Sequence, residues 1–223
     1  MIAVHAWMEA YREAVCRTFG ERVLFIGLQG SYGRNEATDQ SDIDVVLILD
    51  HVNFCDLKRY RAVIRGLSHA DFVCGFVSGR EELAGWSRYD LAMLYLDTVP
   101  WMGDLSTLIP PPTARDAAQA VHIGACNLYH ACSHNFLHAG RVSTLRELYK
   151  SSFFILRAKY YVENGKYVAS RQEMSRCVSG EDARVLQAAM NPEVVGDTSF
   201  QQDTERLLSW SRTLICTFGA GEL

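Results

Sequence analysis

Two aspartates stand one residue apart at the start of an apolar segment, Asp42 and Asp44 in SDIDVVLILD. Because side chains alternate between the two faces of a strand, both carboxylates are expected on the same face. Their mutual repulsion is relieved when a cation lies between them, and Mg²⁺ is a hard ion that binds carboxylates and phosphates together. The segment therefore predicts a magnesium site at the beginning of a buried strand.

A glycine-rich turn precedes the aspartates, in the segment GLQGSYGR. It lacks the GK[ST] ending of a P-loop, and it does not match the GxGxxG pattern of dinucleotide-binding proteins. Backbone amides of a Gly30-Ser31 turn that leads from a strand into a short helix suit a phosphate oxygen, and the Ser31 hydroxyl adds a donor. We therefore expect a phosphate-binding turn next to the predicted metal site.

Two polar residues around this turn have alternative interpretations. Arg34 is close enough in sequence to reach the same phosphates, but it could equally pair with Glu36 or Asp39. Ser41 could close a turn, or it could offer its hydroxyl to a metal or phosphate. We predict that Arg34 and Ser41 both bind the nucleotide.

Gly30-Ser31, ten further residues and then Asp42-Ile43-Asp44 form a pattern that resembles the nucleotidyltransferase superfamily that includes DNA polymerase β. The resemblance implies an α/β (α+β) catalytic domain with a mixed sheet, ATP as co-substrate and Mg²⁺ as cofactor. It also implies a third carboxylate on a neighbouring strand, which would bind metal and act as the general base. Asp71, at the start of DFVCGFVSG, is the matching candidate, with Glu81 or Glu82 in the next helix as the alternatives.

Three segments occur in the order found in the aminoglycoside adenylyltransferases that modify streptomycin and spectinomycin: SDIDVVLILD, REELAGWSRYDL and YYVENGKYVASRQEM. This resemblance implies an all-α helical-bundle domain after the catalytic domain, with the active site between them. It also implies that basic residues of the helical domain contact the triphosphate. Arg157 and Lys150, two helical turns apart, are the candidates, and Lys166 and Arg171 are weaker ones. The implied acceptor is a small hydroxylated molecule, first of all an aminoglycoside-type antibiotic.

Hydrophobic periodicity divides the chain into two regions. Strands are predicted at 22–30, 42–50 and 71–79, and helices at 1–18, 55–67 and 80–86. Four of the five prolines fall in 98–112, which is therefore predicted to be a linker. Helices are predicted at 113–139, 143–164, 180–190 and 199–217. We therefore expect a nucleotidyltransferase domain at 1–112 and a helical domain at 113–223.

Composition narrows the class of function. The 223 residues carry 22 basic and 26 acidic side chains, and this net charge of −4 argues against stable binding to nucleic acid. The seven cysteines form no CxxC pair, and neither a secretory signal nor a membrane-length apolar run is present. A reduced, cytoplasmic enzyme is predicted. Alternatives are a nucleotidyltransferase that modifies a protein partner, of the toxin–antitoxin type, and a non-catalytic nucleotide-binding relative.

Overall fold

The computed structural model describes residues 2–219. The chain forms two compact units, of which the first contains residues up to 87 and residues 94–111. The second contains residues 88–93 and the chain from 112 onwards. None of the helices within residues 2–219 has the combination of length and apolar character that crossing a bilayer requires.

The first unit is built around a mixed sheet. Its helices and strands follow the order α1 (Val4–Phe19), β1 (Val23–Leu28), α2 (Gly30–Gly33), β2 (Ile43–Leu49), α3 (Phe54–Arg65), β3 (Val73–Gly79), α4 (Arg80–Gly85), α5 (Arg88–Asp97) and β4 (Val99–Met102). The last part of α5, from residue 94 onwards, belongs to this unit, and residues 88–93 belong to the second. The strand order is β3-β2-β1-β4, with β2 parallel to β3 and β1 antiparallel to both β2 and β4. The predicted α/β (α+β) class with a mixed sheet is confirmed.

One face of β2 forms part of the core of the first unit. Ile43, Val45, Leu47 and Leu49 are almost fully buried and belong to the same cluster as the apolar residues of α1. The α1 residues in that cluster recur at helical spacing: Trp7, Met8, Tyr11, Val15 and Phe19. Each such side chain contributes roughly 1.5–3 kcal/mol by leaving water. This packing fixes the orientation of β2, so the alternate residues, including Asp42 and Asp44, point to the other face.

The prediction of a linker over 98–112 is wrong at its beginning, because Val99–Met102 forms the edge strand β4. Pro100 lies opposite Gly27 of β1. An edge strand tolerates proline, because only one of its sides requires backbone donors. The helix α5 was not predicted either, because apolar residues occur all around RYDLAMLYLD and give no helical period.

The second unit is a bundle of helices. It contains α6 (Ala114–His134), a π-helical continuation (Asn135–Ala139), α7 (Val142–Asn164), α8 (Arg171–Met174), α9 (Gly180–Met190) and α10 (Phe200–Gly219). A capping box of Thr113 and Asp116 begins α6, which packs against α7 and α10. Val121, Ala125, Leu128 and Cys132 form its buried stripe. The predicted helical bundle is confirmed.

Candidate active site

The two aspartates lie at the beginning of β2. Asp42 immediately precedes the strand and is exposed, whereas Asp44 is its second residue and is partly buried. Burial raises the pKa of Asp44, and the negative charge of Asp42 raises it further. The nearby Arg34 acts in the opposite direction, and Asp97 adds to the upward shift. Two neighbouring carboxylates repel each other, and a divalent cation bound by both would remove this repulsion.

The Gly30 turn lies directly against Asp44. The backbone N–H of Gln29 donates to the carbonyl oxygen of Asp44 at 2.7 Å, which continues the β1–β2 pairing to the start of α2. Gly30 has φ +68°, and a β-carbon at this position would overlap Oδ2 of Asp44. Only glycine therefore permits both this backbone conformation and this close approach to the carboxylate. The missing side chain allows the turn to lie directly against the carboxylate.

The two serines differ in their surroundings. Ser31 is the second residue of α2 and is partly exposed. The Ser41 hydroxyl accepts from the backbone N–H of Thr38 at 2.8 Å and lies 3.3 Å from the Thr38 hydroxyl. Ser41 therefore closes the turn that leads into β2, which is the first of the two roles considered for it.

Arg34 forms ion pairs inside the first unit. Its Nη1 donates to Asp97 Oδ2 at 2.9 Å, and its Nε donates to Glu36 Oε2 at 3.4 Å. The Arg34 side chain is 6% exposed and that of Asp97 is 8% exposed. Of the alternatives for Arg34, the structure shows the pairing with Glu36, and it adds Asp97, which the sequence did not indicate.

Asp71, the third carboxylate predicted by resemblance, lies just before β3, at the same end of the sheet as the aspartate pair. Asp71 is exposed and lies in a short 3₁₀ turn, Ala70–Phe72, before β3 begins. The residue of β3 that lies opposite Asp44 is Cys74, which is exposed and shares the Asp44 face of the sheet. Residues 2–219 contain no group of three or more His, Cys, Asp or Glu side chains arranged to hold a metal. Asp71 was expected to be the first residue of the strand, but it lies in the 3₁₀ turn and β3 begins two residues later.

Glu81 and Glu82 lie at the opposite end of the sheet from the aspartate pair. They belong to α4, which follows Gly79, and Gly79 is paired with Leu49 at the far end of β2. The Glu82 carboxylate lies against the backbone of Gly79. At about 3.3 Å per residue, this end of β2 is roughly 16 Å from Asp44. Neither glutamate is positioned to complete the site.

Lys150 and Arg157 both belong to α7 of the second unit but have different surroundings. Lys150 is partly exposed and pairs with Glu147 at 2.6 Å. Arg157 is fully buried, and its guanidinium carbon lies 4.9 Å from the ring centroids of Phe153 and Phe154. Such stacking favours a desolvated guanidinium, so Arg157 is held rigidly and Lys150 is not.

The two weaker candidates also differ. Lys166 is exposed and pairs with Glu173 at 3.1 Å. Arg171 begins α8, and its guanidinium carbon lies 4.7 Å from the Phe153 ring centroid. Phe153 therefore contacts both Arg157 and Arg171. The adjacent phenylalanines in KSSFFILR are the sequence signal for this cluster.

Comparisons with known proteins agree with this fold. Residues 8–88 match the family model of the nucleotidyltransferase domain. A search of curated protein sequences gives no significant match. The chain therefore contains a nucleotidyltransferase domain, which defines it as an enzyme of the nucleotidyltransferase type.

One solved structure is similar over most of the chain. Spectinomycin adenyltransferase AAD(9) from Enterococcus faecialis, crystallised with ATP and spectinomycin, superimposes with a TM-score of 0.56. The match covers 91% of this chain and 98% of that chain at 12% sequence identity. At this identity the match establishes a shared fold, and this fold includes a helical region after the nucleotidyltransferase domain. The predicted resemblance to the aminoglycoside adenylyltransferases is confirmed for the fold.

Proposed function

We propose that the protein transfers AMP from ATP to a hydroxyl group of a small cationic acceptor, an aminoglycoside-type antibiotic, in a Mg²⁺-dependent reaction. The observation that carries the proposal is the contact between the Gly30 turn and Asp44, which places a predicted phosphate-binding turn beside a predicted metal ligand. The similarity in fold to AAD(9), crystallised with ATP and spectinomycin, supports this choice of nucleotide and acceptor.

In the proposed reaction, the Gly30 and Ser31 backbone amides and the Ser31 hydroxyl bind the triphosphate. Asp42 and Asp44 would hold Mg²⁺, which supplies charge neutralisation for the phosphates and the departing pyrophosphate. The acceptor oxygen forms a bond to the α-phosphorus as the bond from this phosphorus to the bridging oxygen of the β-phosphate breaks. The acceptor proton passes to a carboxylate base, for which Asp71 remains the candidate.

The second unit has a supporting role in the proposal. Lys150 and Arg157 are assigned to the triphosphate because the sequence resemblance places basic residues there. Their different surroundings make this assignment testable with matched variants, Lys150→Met and Arg157→Lys. If each residue contacts the triphosphate, each substitution raises the KM for ATP. A substitution that alters only the unfolding midpoint shows that its residue has a structural role.

The acceptor is identified by incubating the full chain with α-labelled ATP, Mg²⁺ and a panel of aminoglycosides that includes spectinomycin. The expected result is release of pyrophosphate together with an acceptor whose mass has increased by one AMP. The Asp44→Asn variant is the negative control. Transfer to a protein from a cell lysate, with no transfer to any antibiotic, would show that the acceptor is a protein and that the protein does transfer AMP. Transfer to neither would contradict the proposal.

A further inference from the structure

Residues on both sides of the Gly30-Ser31 turn donate hydrogen bonds to one helix, α5. Before the turn, Gln29 Nε2 donates to the carbonyl oxygen of Leu94 at 3.2 Å. After it, the Arg34 guanidinium donates to the carboxylate of Asp97 at 2.9 Å. Leu94 and Asp97 both lie in the last turn of α5, within the first unit. Two contacts from α5 therefore bracket the residues proposed to bind phosphate.

The Arg34 backbone connects its side chain directly to Gly30. The backbone N–H of Arg34 donates to the carbonyl oxygen of Gly30 at 3.1 Å, which closes the single turn of α2. A shift of the guanidinium is therefore transmitted through the Arg34 backbone to Gly30, at the point where a β-carbon would overlap Asp44. Because α2 spans only four residues, it has no length of its own with which to resist such a shift.

Burial makes the ion pair a rigid connection. Both side chains are more than nine-tenths buried, and Glu36 accepts from the Nε of the same guanidinium. A planar guanidinium binds two carboxylates in fixed directions, which a flexible ammonium does not reproduce. Removing one partner of a buried pair leaves an uncompensated charge. Both side chains are therefore needed to maintain the geometry of the pair.

We propose that Arg34 and Asp97 are positioning residues, whose buried ion pair holds the Gly30-Ser31 turn against Asp44 so that the turn is formed before the nucleotide binds. This deepens the proposed function and rests on it, and it replaces direct phosphate contact as the role of Arg34. Asp97 acts through Arg34 and touches neither nucleotide nor metal.

The sign of the effect on nucleotide affinity separates this role from simple electrostatics. Asp97 is negatively charged and close to the site. If it acted through its charge alone, Asp97→Asn would strengthen the binding of an anionic triphosphate. A positioning role predicts the opposite, a dissociation constant for α,β-methylene-ATP that rises about tenfold, equivalent to ~1.4 kcal/mol. Asp50→Asn is the matched control, since Asp50 pairs with Arg22 at 2.9 Å at the other end of β2.

A double-mutant cycle tests whether Arg34 acts through Asp97. In the positioning account, Asp97→Asn adds little to the loss already caused by Arg34→Gln, because the connection is already broken. If Arg34 instead contacts phosphate independently of Asp97, the two losses add. Arg34→Lys keeps the charge and is expected to recover only part of the affinity. Additive losses, or full recovery with lysine, would overturn the proposal.

Hydrogen–deuterium exchange of the full chain without nucleotide provides a measurement that does not depend on the proposed function. Asp97→Asn should accelerate exchange in peptides that cover residues 29–36, whereas Asp50→Asn should leave them unchanged. If Asp97→Asn unfolds the protein, Arg34→Lys is measured in its place. Unchanged exchange in this segment overturns the positioning role, even where ATP binding is found. Accelerated exchange in a chain that binds no nucleotide would instead refute the proposed function and leave the structural connection in place.

Discussion

The Asp44 carboxylate lies against the backbone of Gly30, and no side chain fits between them. This contact joins the first residue of α2 to the second residue of β2, and it depends on the positive φ of Gly30. A glycine and an aspartate that are fourteen positions apart in the sequence thus form one structural unit. Its consequences can be tested one substitution at a time.

Gly30→Ala should abolish nucleotide binding, because the new β-carbon must displace either the turn or Asp44. Gly165→Ala is the matched control, because Gly165 is left-handed, with φ +65°, but has open space around it. Both substitutions should cost about 1–2 kcal/mol for the left-handed backbone. Urea unfolding and binding of α,β-methylene-ATP separate the two effects. Equal affinities in the two variants would show that the contact with Asp44 has no role in binding.

Asp71→Asn tests the proposed general base. We expect kcat to fall about 100-fold or more with little change in the KM for ATP, since general-base catalysis contributes roughly 10²–10⁴-fold. Glu81→Gln is the matched control, because Glu81 is an exposed carboxylate at the far end of the sheet. If Asp71→Asn retains the rate of the unmodified protein, Asp71 is not the general base. The base would then have to be sought among the residues around Asp44 and Cys74.

Cys74 gives a chemical probe of the sheet register. Because Cys74 is exposed and lies opposite Asp44 on β3, a bulky thiol adduct should obstruct the proposed nucleotide site. Treatment with N-ethylmaleimide should therefore abolish AMP transfer, and prior addition of ATP with Mg²⁺ should protect it. Cys74→Ser should be active and resistant to the reagent. Inactivation of Cys74→Ser at the same rate would assign the effect to another cysteine.

Asp56 should make stability depend on pH in acid. Hydrogen bonds from Arg22, at 2.8 and 3.0 Å, lower the pKa of Asp56 to about 2. The unfolded chain has the ordinary value near 4, so the stabilisation is complete above that pH and is lost as the pH falls through about 2. Asp56→Asn should cost ~2 kcal/mol at pH 7, and this difference should shrink between pH 4 and pH 2.

Urea unfolding at a series of pH values measures this difference. Asp197→Asn, at an exposed position of the second unit, controls for the loss of a carboxylate as such. A difference between wild type and Asp56→Asn that stays constant from pH 7 to pH 2 would show that the Arg22 pair does not stabilise the fold.

The local features of the site were predictable from the sequence. Strand alternation places Asp42 and Asp44 opposite the core residues Ile43 and Val45, and the structure has this arrangement. The helices of the second unit follow from their apolar periods. These predictions depend only on neighbouring residues, so a single sequence contains the information they require.

The long-range features were not predictable. Asp97 lies 63 residues beyond its partner Arg34, in a helix without an amphipathic period, and nothing in the local pattern joins them. The edge strand β4 was missed because Pro100 is typical of a linker. The offset of Asp71 from β3 depends on a 3₁₀ turn whose residues have no distinctive signature. All three errors concern where separate segments meet.

The central claim is that Asp44 takes part in holding a divalent cation together with a nucleotide. Its most direct test is calorimetric titration of the full chain with α,β-methylene-ATP, with and without Mg²⁺. For the wild type and for the control Asp50→Asn, we predict that Mg²⁺ tightens binding at least tenfold, or ~1.4 kcal/mol. For Asp44→Asn, we predict no effect of Mg²⁺. Equal enhancement by Mg²⁺ in Asp44→Asn and in the wild type would contradict the account.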